Sequence, residues 1–583
     1  MSSYYDDASL MLLASGGAQK DGKVYSVKPT DGSGDFTFTR GSNLSATRVD
    51  ASQLIEKGRE NLVKQSNSFG TAPWTASNAS VTSGQSGYDG SNDAWKIEAN
   101  TTAQTYVNQV LLSSISANTT TTFSVYAKSG NVDFLKILLV TAGSNSIITF
   151  DLTDGSNSSN LRTISVNAEN VGNGWYRCSI TAAPGTNTNA VRIEARSTAP
   201  DNTAVAGSFI YIQDSQVELG LAATSVIETG ASTAQAGILE NTPRFDYSGG
   251  ATCPSLLLEP SRTNLLPQSE YYLSGGWVIN SGTLTTNYAV SPEGLQNASK
   301  INFTSGGEIV RTTSFTAGQA YTFSFYAKVE SGTFDFTYGN INYTLTSGTA
   351  TTEWQRFEIT QTAPVASRYP KIDATNTGDL LIWGFQIEQG SYPTSYIPTY
   401  GVSQTRALDS GSTATPSTSL FGQTEGTLYC EYIAVSDNTT NASRFARLRN
   451  SSGSNQVYLQ HFANNSILAV VYNGSNQFIG ASSSGFVTAG ETYKCAVAYK
   501  NGDYAFYING QQIGLSSSTG LGTLSLDRFD LDGSGNISKS VKNAQSLVFK
   551  TRLSNLDLAI LTGATTYNTF AAMALALNYT VYE

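Results

Sequence analysis

Two groups of side chains in this sequence are the right types to hold a sugar. Tyr126, Lys128, Trp175, Arg177, Gln216 and Glu218 make the first group, and Tyr326, Lys328, Trp354, Arg356, Gln386 and Glu388 the second. Aromatic rings offer flat apolar faces on which a pyranose stacks, and guanidinium, amide and carboxylate groups exchange paired hydrogen bonds with neighbouring hydroxyls. Strand alternation predicts that these side chains share one face. Phe123, Val125 and Ala127 point one way along their strand, so Tyr126 and Lys128 point the other, and Tyr326 and Lys328 repeat the arrangement. Cys178 and Ile180 likewise put Trp175 and Arg177 outward, as Phe357 and Ile359 do for Trp354 and Arg356. By the same parity Trp383, Phe385 and Ile387 share the apolar face, which leaves Gln386 and Glu388 outward, matching Gln216 and Glu218. A second reading stands beside this one: residues common to both groups can be what the fold itself needs, with each Trp stacked under an Arg as a rim cluster. Trp95 and Trp383 occur in one copy only and could carry recognition particular to that copy, although parity puts Trp383 in the core.

Catalytic chemistry has less to work with. His461 is the single histidine, so a triad, an imidazole base or a histidine-ligated metal would need that one residue, and its neighbours Val457 and Leu459 mark an ordinary β position. No catalytic residue is assigned and the chain is expected not to be an enzyme, with hydrolysis by two distributed carboxylates left as an alternative. Asp530, Asp532 and Ser534 alternate before Gly535 as at the front of a calcium loop, the one cofactor in question. The twelfth position of that loop is Val541 rather than Glu, so a hairpin turn is the competing reading. Cys178, Cys253, Cys430 and Cys495 are too scattered to spell out a disulfide framework or a metal site.

The elements that must position these side chains are written twice. Asn61-Leu-Val-Lys-Gln-Ser66 with Trp74 recurs 203 residues later as Asn264-Leu-Leu-Pro-Gln-Ser269 with Trp277. Phe123 to Lys128 recurs as Phe323 to Lys328, Trp175-Tyr-Arg177 as Trp354-Gln-Arg356, and Gln216-Val-Glu-Leu-Gly220 with Thr224-Ser225 as Gln386-Ile-Glu-Gln-Gly390 with Thr394-Ser395. The order is kept while the spacing shrinks, as expected of one fold used twice with loops of different length. Two copies on one chain suit multivalent binding, because linking weak sites raises avidity without any new contact.

A chain of 583 residues with 13% charged and 11% aromatic residues suits short strands joined by many turns. The reading is all-β: a lead-in over 1–60, a first jelly roll over 61–235, a connector over 236–260, a second jelly roll over 261–400 and a different β-sandwich over 401–583. In the last, Thr492 to Tyr499 turns at Asn501-Gly502 and returns as Tyr504 to Ile508 before Asn509-Gly510, a hairpin pattern. Ser554 is placed to cap a short helix through Asp557, Thr569 to Leu577 reads as another helix and Tyr579 to Tyr582 as a strand. A net charge of −10 without clustered Lys and Arg argues against nucleic-acid and membrane partners. The start, Met1-Ser-Ser-Tyr-Tyr-Asp-Asp7, lacks a secretory pattern, and synthesis in a cytoplasm is expected.

Four phrases carry a resemblance: Ser45-Ala-Thr-Arg-Val-Asp50, Pro243-Arg-Phe-Asp-Tyr-Ser-Gly-Gly250, Pro254 to Leu265, and Thr405-Arg-Ala-Leu-Asp409. Together they resemble tailed-bacteriophage virion proteins, in which such phrases join carbohydrate-binding-module-like jelly rolls to a concanavalin A-like sandwich. The hairpin of Tyr499 to Gly510 is similar to the central hairpin of that lectin/glucanase fold, while the tight paired-carboxylate strand of its glucanase members is absent. The resemblance implies a tail-fibre, adsorption or decoration protein of the virion that binds host cell-surface glycan. Its partners would include other virion proteins and further copies of itself, a homo-oligomer such as a trimer. A purely structural fibre or capsid decoration protein and a polysaccharide depolymerase are the alternatives.

Overall fold

The computed structural model describes residues 4–563 apart from 16–18, 21, 42–43, 199–202, 341–344, 364–366, 369, 437–441 and 532–539. Alternation of apolar and polar residues shapes the first module into two facing antiparallel sheets of six strands each. One runs in the order Ser165–Gly172, Trp175–Ala182, Thr121–Ser129, Phe209–Leu219, Ala94–Ala99, Ala79–Gln85, and the other holds Asn157–Leu161, Ser146–Asp151, Phe134–Thr141, Thr188–Arg196, Thr105–Ile115 and Trp74–Ser77. Phe123, Val125, Cys178 and Ile180 from the first meet Ile137, Leu139, Val191 and Ile193 from the second, all without solvent exposure.

The second module has the same plan with one change. Trp277–Val290 and Gln296–Arg311 are long strands, and the latter pairs with Gly378–Gln389 through Ser299 to Phe303 and with Pro370–Ala374 through Glu308 to Val310. One strand pair therefore serves both layers. The first module breaks the same path at Asn78, whose φ of 51° ends Trp74–Ser77 and starts Ala79–Gln85. The duplication extends to single hydrogen bonds. Asn61 Nδ2 donates to Ile227 O and Asn264 Nδ2 to Ile397 O, both at 2.9 Å. Trp74 Nε1 donates to Gln65 O at 3.0 Å, and Trp277 Nε1 to Gln268 O at 3.1 Å.

The lead-in and the connector are not separate units. Leu10–Leu13 pairs with Val541–Phe549, and Arg244–Asp246 and Ser255–Leu258 extend the same sheet, which continues through Glu425–Ala434, Thr492–Lys500, Asp503–Ile508 and Gln511–Ser516. Phe36–Thr39 pairs with Ser410–Thr413 in the facing nine-stranded sheet. Contiguous sequence boundaries missed this because a strand of three or four apolar residues carries no label of its sheet. The expected hairpin is present, turning at Asn501-Gly502 with Gly502 at φ 77°. Ser554 Oγ accepts from the Asp557 amide at 3.1 Å and caps the helix Asn555–Leu561, whereas the expected helix at 569–577 and strand at 579–582 lie outside the described residues.

Where the lead-in, the connector and the start of the last sandwich meet, three arginines and two carboxylates are buried together. Arg244 Nη1 lies 2.7 Å from Glu259 Oε2, Arg406 Nη1 lies 3.0 Å from the same oxygen, and Arg40 Nη1 lies 3.1 Å from Asp409 Oδ1. Arg244 also pairs with Asp409. Burial alone would raise the Glu259 carboxyl, but Arg406 and Arg244 hold it far below the usual carboxylate range. Three of the four phrases noted in the sequence supply four of its five residues, Arg244, Glu259, and Arg406 with Asp409, while Arg40 lies outside them.

Candidate functional site

Parity put the twelve candidate residues on the right face but did not see what covers it. Gln216 and Glu218 have relative exposures of 0% and 2%, and Gln386 and Glu388 both 0%. The segment leaving each module folds back over them. Glu218 accepts from the Thr224 amide at 2.8 Å and from Thr224 Oγ1 at 2.7 Å, while Gln216 Oε1 accepts from the Ile227 amide at 2.7 Å. In the second copy Glu388 accepts from the Thr394 amide at 2.8 Å and from Thr394 Oγ1, and Gln386 accepts from the Ile397 amide at 2.6 Å. Arg356 Nη2 donates to Thr394 O at 2.8 Å, and Arg177 Nη2 to Thr224 O. Gln216, Glu218, Gln386 and Glu388 are thus a buckle that fastens each exit segment, with their hydrogen bonds turned inward rather than toward a ligand.

The Trp383 assignment needs correcting. Tyr326 pairs with Trp383 and Ser324 with Gln386, so a bulge at Gly384 and Phe385 reverses the alternation. Gly384 adopts φ 66°, and Asp214 occupies the matching bulge at φ 46°. Trp383 therefore lies with Tyr326, Trp354, Tyr396 and Ile55 on the outer face, fully buried, instead of with Phe385 in the sandwich core. Trp95 is half-buried at the edge of the first core, its Nε1 donating to Asn67 O at 3.0 Å.

The remaining candidates diverge between copies. In the first, Tyr88 stacks on Tyr126 with ring centroids 3.7 Å apart and planes 2° from parallel, leaving Tyr126 9% and Trp175 1% exposed. Lys128 is half-buried and pairs across strands with Trp175. In the second copy Tyr326 and Trp354 are only half-buried and line an open cavity of about 520 Å³ with Arg356. Arg356 lies over Tyr326 at 5.7 Å, Lys328 Nζ lies 5.2 Å over Trp354, and Trp354 Nε1 donates to Val290 O at 3.0 Å. The ring is fixed before any ligand arrives.

The opposite wall comes from residues that sequence reasoning missed: Arg48 and Gln53 of the lead-in, Asp246 and Ser248 of the connector, and Lys542. Arg48 pairs with Glu56 at 2.7 Å, and Lys542 Nζ lies 2.8 Å from Asp246 Oδ2 and 2.5 Å from Ser248 Oγ. Burial would raise the Asp246 carboxyl, but Lys542 together with the Ser248 hydroxyl and the Val49 amide holds it below its ordinary value. Arg48 and Asp246 sit inside two of the four phrases that carry the resemblance, which was the available signal. Lys542 had none, because it arrives from a strand nearly 300 residues away from Asp246 in the sequence.

His461 is a buried core residue, its Nδ1 2.6 Å from Tyr432 Oη and its Nε2 3.0 Å from Asn465 Oδ1. Asp530 is paired with two arginines, Arg447 Nη2 and Arg449 Nε reaching its Oδ2 at 2.5 and 2.6 Å. Asp532 and Ser534 lie outside the described residues, among which no cluster of three or more His, Cys, Asp or Glu could hold a metal.

No curated protein matches the chain in sequence. Residues 408–545 match a family model described as the Concanavalin A-like lectin/glucanases superfamily. Among solved structures, the CBM40 of Ruminococcus gnavus IT-sialidase bound to α2,3 sialyllactose is similar at 16% identity over 24% of this chain and 84% of that one, with a TM-score of 0.21. A CBM4 structure is similar at 16% identity over 20% and 86%, with a TM-score of 0.17. The native heptameric SAP-like pentraxin from Limulus polyphemus is similar at 12% identity over 26% and 72%, with a TM-score of 0.20. The chain is an all-β protein of several β-sandwiches, the last of which contains the residues that match the Concanavalin A-like lectin/glucanases superfamily.

Proposed function

We propose that this is a glycan-binding protein of a bacteriophage virion, an adsorption or tail-fibre component made in the host cytoplasm and acting without turnover. The observation that carries the binding reading is the open cleft walled by Tyr326, Trp354 and Arg356 on one side and by Arg48, Asp246 and Lys542 on the other. Its shape and chemistry suit one or two sugar rings: a fixed indole and phenol for stacking, and planar or multidentate polar groups for hydroxyls. The phrases that build the far wall are those that resemble phage virion proteins, which ties the cleft to that setting.

Binding without hydrolysis is favoured by the state of the nearby carboxylates. Asp246 is held by Lys542, and Glu259 by Arg244 and Arg406, so neither is poised as a proton donor at neutral pH. The buried buckles favour one rival in part, since they make eight of the shared interactions structural in either role. An array of host-surface and defined oligosaccharides, read alongside reducing-sugar release by the intact chain, separates the readings. Retention of glycan without release is expected; release would support a depolymerase, and neither would leave a structural decoration protein.

A further inference from the structure

The first module has the same aromatic pair as the cleft, but one of its own side chains fills the space in front of it. Tyr88 lies parallel to Tyr126 at 3.7 Å, meets Trp175 edge-on at 6.4 Å, and donates its hydroxyl to Asp214 Oδ2 at 3.0 Å. A flat ring on Tyr126, beside an indole, with a hydroxyl bonded to a carboxylate, is the set of contacts a hexose would make. In the second module the matching turn, from Ser291 to Leu295, carries no aromatic residue, and Tyr326 and Trp354 stand open.

We propose that Tyr126 and Trp175 form a second sugar-binding site, of the same kind as the cleft, which Tyr88 occupies as an internal stand-in for the ligand and leaves only when a neutral sugar ring takes its place. The inference rests on the glycan-binding reading of the cleft. Several features make Tyr88 displaceable. It is half-buried at the tip of a short loop between Ala79–Gln85 and Ala94–Ala99, and the loop contacts the sheet through side chains: the Tyr88 amide donates to Gln213 Oε1 at 3.0 Å, and Gln213 Nε2 donates to Asp93 Oδ1 at 2.8 Å. Gly90, in the loop at φ 86° with nothing close to where a Cβ would stand, holds a left-handed turn that leaves the loop tip unpacked on that side. The ligand class follows from the polar groups at the plug. Asp214 Oδ2 accepts the Tyr88 hydroxyl, and Gln213 beside it donates to Asp89 Oδ1 at 3.3 Å and Asp93 Oδ1 at 2.8 Å, while the guanidinium of Arg177, over Tyr126 at 5.4 Å, is committed to Thr224 O, so the face offers carboxylate acceptors to the hydroxyls of a neutral sugar and not a free guanidinium to the carboxylate of an acidic one.

A plug lowers the apparent affinity of the site by the fraction of time it stands open, so its removal must strengthen binding. The experiment uses the full chain with Trp354→Ala to silence the cleft, then adds Tyr88→Ala, and probes both on an array of maltotetraose, cellotetraose, lactose and sialyllactose, with thermal melting as the check on folding. Trp354→Ala with Tyr88→Ala is expected to bind at least one neutral sugar about tenfold more tightly than Trp354→Ala alone, and sialyllactose no better. Tyr88→Phe, which keeps the ring and loses only the Asp214 bond, should give a smaller gain and covers the case in which the alanine variant does not fold. No gain from either Tyr88 variant would overturn the second site, and a gain confined to sialyllactose would overturn its ligand class. Binding unchanged by Trp354→Ala alone would instead count against the cleft.

Discussion

Asp214 and Glu388 are buried carboxylates with opposite effects on stability. Burial raises the Asp214 carboxyl to about 6, and Asp93, Glu228 and Asp89 push the same way against the Tyr88 hydrogen bond. Because the folded value lies above the unfolded one, this group contributes stability fully at pH below the ordinary carboxylate value and loses it as pH rises through about 6. Asp214→Asn should therefore match the parent near pH 4 and exceed it in melting temperature at neutral pH, by on the order of 1 kcal/mol after allowance for solvent screening. Calorimetry across that range checks it, and a variant no more stable than the parent at neutral pH would count against the assignment. Glu388 has the opposite task. It accepts buried hydrogen bonds from Thr394 and Gln386, so Glu388→Ala should cost about 3 kcal/mol in the second module, and Glu218→Ala a similar amount in the first. At this scale the sequence was readable as to face and misleading as to cover. Alternation located Tyr126, Arg177, Tyr326 and Arg356 correctly, yet nothing in it announced that Thr224 and Thr394 would close over the glutamates, or that a bulge would turn Trp383 outward.

Between elements, the lead-in hairpin of Thr47–Val49 and Ile55–Lys57 is pinned to the second module by a buried lysine shared between two carboxylates. Lys57 Nζ lies 2.7 Å from Glu293 Oε2 and 3.3 Å from Glu270 Oε1, and Tyr396 Oη donates to Glu270 at 2.9 Å. Burial raises the Glu270 carboxyl despite Lys57, with Glu293 adding to the effect. Lys57→Met should leave two buried carboxylates with no cation, cost about 3 to 5 kcal/mol, and loosen the hairpin that carries Arg48 into the cleft. Hydrogen exchange over 47–57 is the measurement; protection equal to the parent would contradict the pin. None of this was legible beforehand, because nothing in the sequence links Lys57 to a carboxylate 213 residues away. The duplicated strands were legible, since the same Asn, Trp and Gln recur where the same hydrogen bonds recur.

Across the whole molecule, the chain leaves its first strands in the last sandwich, makes one jelly roll, returns two strands to that sandwich and then makes the second. Leu10, Leu12, Phe36 and Phe38 are 0 to 2% exposed within the C-terminal core. Removal of residues 1–40 is therefore predicted to unfold the region matched to the lectin superfamily although it lies more than 350 residues downstream, as seen by loss of its calorimetric transition. The composition announced β-sandwiches and the repeats announced two of them, but a strand as short as Leu10–Leu13 gives no sequence clue to a partner at Val541–Phe549. This threading is also what builds the cleft, by bringing Arg48, Asp246 and Lys542 against Trp354. The most direct measurement of that claim compares Trp354→Ala with Trp175→Ala in the full chain, reading glycan-array binding and melting together. The account predicts that Trp354→Ala weakens binding about fivefold or more with melting nearly unchanged, since its ring lines an open cavity, while Trp175→Ala, its ring 1% exposed, lowers the melting temperature and spares binding at the cleft. Loss of melting temperature in Trp354→Ala with binding intact would contradict it.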